Sequence, residues 1–226
     1  MTHLLDNPVW SALATSHAAL AQGGPAAKRY PGSIIPFAAT ADDSEDALHA
    51  LAPLASPGET LFLLRAAPLV TPPGFTATIV APGVQMIADV PVERVTDERI
   101  ISLGEADAEE MLALATLTKP GPFSLRALDL GGFWGIRLNG RLAAMAGQRM
   151  RQPGYTELSG VCTHPDFRGE GLARLLSLYV ASQIFDRGDR PYLHAWATNT
   201  PAITLYETIG FKLRTGIHVA AIERIG

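Results

Sequence analysis

The run E-L-S-G-V-C-T-H-P-D-F-R-G-E-G-L-A, from Glu157 to Ala173, constrains the chain more than any other stretch. Its first part reads as a strand and His164-Pro165-Asp166 as a turn. Gly169 and Gly171 then open a helix whose apolar positions Leu172, Leu175, Leu176, Tyr179, Val180 and Ile184 fall on one stripe. A strand that passes through a glycine turn into a helix N-terminus gathers unpaired N–H groups and the positive end of the helix dipole at one spot. Glycines there let a phosphate approach the backbone with no Cβ in the way. Two nucleotide motifs are excluded. No lysine follows the glycines, as a P-loop requires, and Arg174 stands where a dinucleotide fingerprint needs its third glycine or alanine. The next strand, Y-L-H-A-W-A, also lacks the acidic residue that would hold a ribose.

Around this stretch the expected elements alternate. Residues from about His3 to Leu20 read as a helix broken or started by Pro8, and Tyr30 to Phe37 as a strand interrupted by prolines. Asp43-Ser44 offers a cap for a short helix from Glu45 to Leu51. Thr60 to Leu64, Phe75 to Val80 and Val84 to Ala88 read as three strands, the last two joined by an Ala81-Pro82-Gly83 turn. Glu105 to Leu117 is a helix stopped by Lys119-Pro120-Gly121-Pro122, with a helical turn at Ser124 to Leu128. Asn139-Gly140 joins Phe133–Leu138 to Leu142–Met150 as a hairpin, and Tyr155 to Thr163 adds a third strand. Tyr192 to Ala197 is a strand parallel to the one at Val161, if its crossover is right-handed. A helix over Ala202–Ile209 and a strand over Phe211–Glu223 follow. The division falls near residue 100: residues 1–100 form an α/β region without evident chemistry, and residues 101–226 carry the motifs.

Function classes narrow with the totals. A net charge of −4 and no long basic run argue against nucleic acid or an anionic membrane as partner, and slightly favour a basic substrate such as an amine. His3, His17 and His49 do not sit at metal-ligand spacing, so no metal is expected. Cys162 is the single cysteine, which rules out an intrachain disulfide and fits a reducing compartment. The start M-T-H-L-L-D-N-P has no basic run before an apolar one, and no apolar stretch is long enough to span a bilayer. A soluble, cytoplasmic protein is expected.

The pattern R-x-x-G-x-A at Arg168–Ala173, preceded by V-C-T at Val161–Thr163, is followed about thirty residues on by N-T-P-A-I-T-L-Y-E-T-I-G-F at Asn199–Phe211. Together these motifs resemble the GNAT superfamily of N-acetyltransferases, from about Leu103 onward. The stretches D-L-G-G-F-W-G-I-R-L-N-G-R and G-Y-T-E-L-S-G-V-C-T-H-P-D look most like its branch with the C-terminal half of glycine N-acyltransferase-like proteins, in which the N-terminal half can be a degenerate copy of the fold. The resemblance implies an α/β fold: a mixed, mostly antiparallel sheet with a splayed parallel pair and helices on both faces.

It also implies acetyl-CoA as cosubstrate and an amine acceptor: a small molecule, an amino acid or a protein. Amides of Gly169, Glu170, Gly171, Leu172 and Ala173 would hold the pyrophosphate, with Arg168 closing the turn. Glu170 departs from the basic or neutral residue common there. Val161, Cys162 and Thr163 would offer backbone groups to the pantetheine arm and the thioester, with Asn199 and Ala202 on the other side. Tyr206 matches the tyrosine that donates a proton to the leaving sulfur, and Glu157 stands where the histone-modifying branch keeps its general base. His194 is the reserve base. Direct transfer to the amine is expected, not a covalent intermediate on Cys162. Phe133, Trp134 and Tyr155 either line an acceptor pocket or pack in the core. Two other readings stay open: a non-catalytic acyl-CoA-binding regulatory module, and an acyltransferase for longer chains.

Overall fold

The computed structural model describes residues 3–226. Helix α1 (Pro8–Ala14) starts with proline in its first turn, where the missing N–H is no loss. Turns of 3-10 helix at Leu4–Asp6 and Ala18–Leu20 flank it, so the single helix expected there is divided. Strands β1 (Gln22–Gly23), β2 (Ala27–Arg29) and β3 (Ala38–Thr40) make a small antiparallel sheet. The strand expected over Tyr30–Phe37 is instead the connection between β2 and β3. Pro31 and Pro36 supply no N–H to a ladder, and the segment buries Tyr30, Ile34, Ile35 and Phe37 against Val9 and Leu13 of α1.

After α2 (Glu45–His49) come β4 (Thr60–Arg65), β5 (Phe75–Ile87), β6 (Ile100–Leu103) and α3 (Ala108–Thr118). Then follow β7 (Phe133–Leu138), β8 (Arg141–Gln152), β9 (Tyr155–Thr163), α4 (Leu172–Asp186), β10 (Arg190–Trp196), α5 (Thr200–Thr208) and β11 (Lys212–Arg224). Eight of the strands form one sheet in the order β4-β11-β5-β10-β9-β8-β7-β6. Only β9 and β10 run parallel among its neighbours. The division drawn at residue 100 therefore runs through a continuous sheet, with β5 lodged between β10 and β11.

The two strands expected around Ala81-Pro82-Gly83 are one. Pairing with β11 continues through Ala81↔Val219, Pro82↔His218 and Gly83↔Ile217. A Cβ on Gly83 would fall 2.9 Å from the Ile217 side chain and 3.1 Å from the Ala195 carbonyl oxygen. The glycine thus serves close strand packing and not a turn. The expected Asn139-Gly140 hairpin is present, with both residues at positive φ (52° and 76°) as a two-residue turn of this type requires.

Helices cover both faces. Met145 packs with Met111 and Leu114 of α3, while its neighbours Ala144 and Ala146 pack with Leu176 and Val180 of α4. Successive strand residues point to opposite faces, so α3 and α4 lie on opposite sides of the sheet. Leu172, Leu176, Val180, Ala181 and Ile184 of α4 are all buried. Each of the larger ones contributes about 2 kcal/mol of apolar burial, which fixes the helix and the glycine turn at its head. No described helix is long and apolar enough to cross a membrane.

Candidate active site

The parallel strands part early. They pair only through Arg190↔Tyr155, Pro191↔Thr156 and Tyr192↔Glu157. Beyond that point β9 follows β8 while β10 follows β5 as far as Trp196↔Gly83. A bulge helps β9 turn away, because between Ser159 and Cys162 it holds one more residue than β8 does between Gly147 and Met145. Gly160 sits there at φ 64°, and a Cβ on it would lie 2.7 Å from the Phe133 ring. Two clefts open into the gap, and both are lined by Lys119, Val161, Asn199, Ala202 and Tyr206.

One cleft runs to the glycine turn. Of the residues expected to hold the cosubstrate, Val161, Cys162, Thr163, Arg168, Gly169, Gly171, Leu172, Ala173, Asn199, Ala202 and Tyr206 all line it. Glu170 does not, and its side chain is exposed, so its charge is not set among the turn amides. Gly169 and Gly171 have φ 85° and 75°, and a Cβ on either would project into open space. Gly171 is the N-cap of α4 and supplies no side-chain acceptor, which leaves the first amides of the helix unpaired. Further along, the Thr163 hydroxyl is buried and has no hydrogen-bond partner among the described residues. A turn of open amides at the head of a cleft that Thr163 also lines, its buried hydroxyl without a partner among the described residues, fits a ligand with a diphosphate at one end and an amide-bearing arm. Asn199 caps α5, its Oδ1 accepting from the Ala202 amide at 3.3 Å. Tyr206 is 8% exposed. Burial, with Cys162 beside it, raises its hydroxyl pKa above the ordinary 10, so it stays protonated at neutral pH. Burial also pushes the Cys162 thiol up to about 11, against nucleophilic use.

The other cleft lies between β9 and the strands of the first hundred residues. Phe37, Phe62, Leu64, Leu158, Trp196, Ile217 and Val219 supply apolar walls, and Arg149, Ser159 and His194 supply polar groups. Trp134 packs edge-on to Tyr179 of α4 and Tyr155 against His3, so neither lines this cleft. Phe133 is buried beside Phe123. The aromatic lining comes instead from Phe37, Phe62 and Trp196.

Glu157 is fully buried and does not itself line the cleft. Arg149 donates to it from Nε (2.8 Å) and Nη2 (2.6 Å), and His194 Nδ1 lies 2.7 Å from its Oε1. Burial alone would raise its pKa, but the Arg149 charge and these hydrogen bonds outweigh that and hold the carboxyl at about 2. The His194 tautomer follows from its partners. Gln85 Nε2 faces the Leu5 carbonyl oxygen at 2.9 Å, while its Oε1 accepts from Arg214. That orientation makes Gln85 a donor to His194 Nε2, at 2.8 Å, so the ring proton sits on Nδ1 and is given to Glu157. Burial lowers the His194 pKa, with Glu157 opposing, and the ring is neutral at pH 7. Arg149 and Gln85 had no sequence motif to mark them. The one available signal for Arg149 was a lone charge within the apolar, small-residue strand L-A-A-M-A-G-Q-R-M.

Comparison with known proteins bears on the fold and the family. The FR47-like protein family matches residues 133–219, from β7 into β11. No curated protein matches. Among solved structures, a protein of Novosphingobium aromaticivorans assigned to the GNAT family of acetyltransferases is similar over 100% of both chains, with 41% identity and a TM-score of 0.94. A GCN5-related N-acetyltransferase from Kribbella flavida shares the fold at 16% identity and a TM-score of 0.63, covering 99% of this chain and 95% of its own. A GNAT-family acetyltransferase from Colwellia psychrerythraea shares it at 12% identity and a TM-score of 0.53, over 87% and 80% of the two chains. Identity of 41% to the Novosphingobium protein over the full length of both chains, on a sheet that splays between β9 and β10, shows that this chain belongs to the GNAT family.

Proposed function

We propose that the protein transfers an acetyl group from acetyl-CoA directly to a primary amine, in the cytoplasm. The observation that carries this is the meeting of two clefts at Val161, Asn199, Ala202 and Tyr206, one ending at open helix amides and the other at a polar cluster under apolar walls. In this reading the amides of Gly169–Ala173 hold the diphosphate, Thr163 takes up the arm, and Tyr206 protonates the departing sulfur. The bulge at Gly160–Val161 frees a backbone amide for the thioester carbonyl. Within the family, the sequences from Asp129 to Asp166 support placement beside the glycine N-acyltransferase-like branch.

The base is the point where geometry refines the sequence expectation. A carboxylate held at about 2 with both oxygens engaged is a poor acceptor for an amine's proton. Glu157 therefore acts through His194, fixing its tautomer. His194, which lines the cleft, is in this reading the acceptor of the amine's proton, with Nε2 as the ring nitrogen that carries no proton. Release of CoA thiol, followed with and without a panel of amines, tests the proposal. Amine-dependent release is the expected result, and bare thioester binding without it would leave a non-catalytic module. Tyr206→Phe should lower kcat by roughly 10²-fold or more with CoA affinity unchanged, and equal rates would remove Tyr206 from the mechanism.

A further inference from the structure

The acceptor cleft has a local charge that the net −4 conceals. Among the described residues its charged side chains are Lys119 and Arg149, the latter paired with Glu157 behind it, and no carboxylate lines it. Arg149 lies 4.8 Å over the Phe37 ring, with only 13% of its side chain exposed. Its Nε and Nη2 are committed to Glu157, while Nη1 has no partner among the described residues. A guanidinium nitrogen beside apolar walls, with its remaining donors unused, is completed by an anion, best by a carboxylate oxygen. Glu157 already balances the Arg149 charge, so a polyamine or a lysine-rich peptide would bring positive charge to Lys119 and offer nothing that accepts from Nη1. The walls facing Arg149 come largely from outside the motif-bearing half: Phe37 from the β2–β3 connection, Phe62 and Leu64 from β4.

We infer that the acceptor is a primary amine on an apolar body that also carries a carboxylate, with the carboxylate at Arg149 Nη1 and the body against Phe37, Phe62 and Ile217. This rests on the proposed acetyl transfer for the fate of the amine. The nitrogen bonds to the thioester carbon and the C–S bond breaks. The thiolate gains a proton from Tyr206, and the positively charged nitrogen of the tetrahedral adduct gives one up to His194 as the amide forms. A long acyl chain could also cover the apolar walls, but it would leave Nη1 without a partner.

The test uses the full-length protein with acetyl-CoA and compares phenylalanine, phenethylamine, glycine and spermidine at equal concentrations of free amine. Phenylalanine should exceed phenethylamine in kcat/KM by about tenfold or more, the factor for one charge-assisted hydrogen bond. It should exceed glycine by a similar factor through apolar burial. Phe62→Ala should lower kcat/KM for phenylalanine toward that for glycine. Calorimetry with CoA present, comparing N-acetylphenylalanine with N-acetylphenethylamine, reads the same preference without turnover. Phenethylamine, spermidine or glycine serving as well as phenylalanine would overturn the inference and leave acetyl transfer standing. Selective binding of N-acetylphenylalanine with no CoA release from any amine would uphold the subsite and overturn the proposed function. Octanoyl-CoA preferred over acetyl-CoA, with indifference to the amine, would give the walls to the acyl chain and overturn the inference.

Discussion

Replacing Glu157 with glutamine tests how the site is held together and how it works. A carboxyl at about 2 in place of its ordinary 4.5 is stabilised in the charged form by about 3 kcal/mol, at about 1.4 kcal/mol per tenfold of proton affinity. The group is wholly buried, so solvent screening takes little of this away. The folded-state pKa lies below the unfolded one. The stabilisation is therefore complete above pH 4.5 and drains away as the pH falls toward 2. Glu157→Gln also leaves the Arg149 charge without its counterion, and breaking a buried pair from one side costs about 3–5 kcal/mol. Urea unfolding at pH 7 should show the variant less stable by about 3 kcal/mol or more. The gap to the parent should narrow by about 1 kcal/mol by pH 3.5. Adding Arg149→Met should recover part of the loss, because the stranded charge is then gone. If Glu157 acts through His194 as proposed, the variant should still bind CoA while its kcat falls. A variant as stable as the parent at pH 7, or a gap that widens as the pH drops, would refute this account of the pair.

Three further outcomes are expected. Gly171→Trp should abolish acetyl-CoA binding in calorimetry, because it adds a large side chain at a position that lines the cleft and holds φ 75°; unchanged affinity would move the diphosphate elsewhere. Gly147→Ala should lower stability by about 1–3 kcal/mol through overpacking, since a Cβ there would lie 2.4 Å from the Phe133 ring; a thermal melt superimposable on the parent's would contradict the packing. Cys162→Ala should retain amine-dependent CoA release, and the parent thiol, held at about 11, should alkylate slowly at pH 7; loss of turnover without loss of folding would bring a covalent intermediate back.

What could be read from residues alone was what local chemistry decides. Asn139-Gly140 specified its hairpin, the stripe from Leu172 to Ile184 its helix, and the connection from β9 through α4 to β10 a parallel neighbour. The turn at Gly169–Gly171 was equally open to reading, because positive φ at a helix start asks for glycine. What escaped depends on partners far away in the chain. Pro82 and Gly83 read as a turn until β11 is set beside them. Arg149 is an ordinary basic residue until Glu157 and Phe37 surround it. Trp134 and Tyr155 were as eligible for the acceptor cleft as Phe37 and Phe62, since period-two alternation says which residues share a face but not what that face meets.

The position of β5 carries a consequence for biosynthesis. Its two sheet neighbours, β10 and β11, are made last, and β4 pairs with β11 and not with β5. While a ribosome is still translating residue 190, β5 has neither of its sheet neighbours and β4 has only the Pro36–Phe37 segment beside it. Completion must await the C-terminal tail, so folding is a late and strongly non-local event. A fragment beginning at residue 101 would lack the strand that bridges β10 to β11. Truncating the front of this chain would accordingly forfeit the back of it as well.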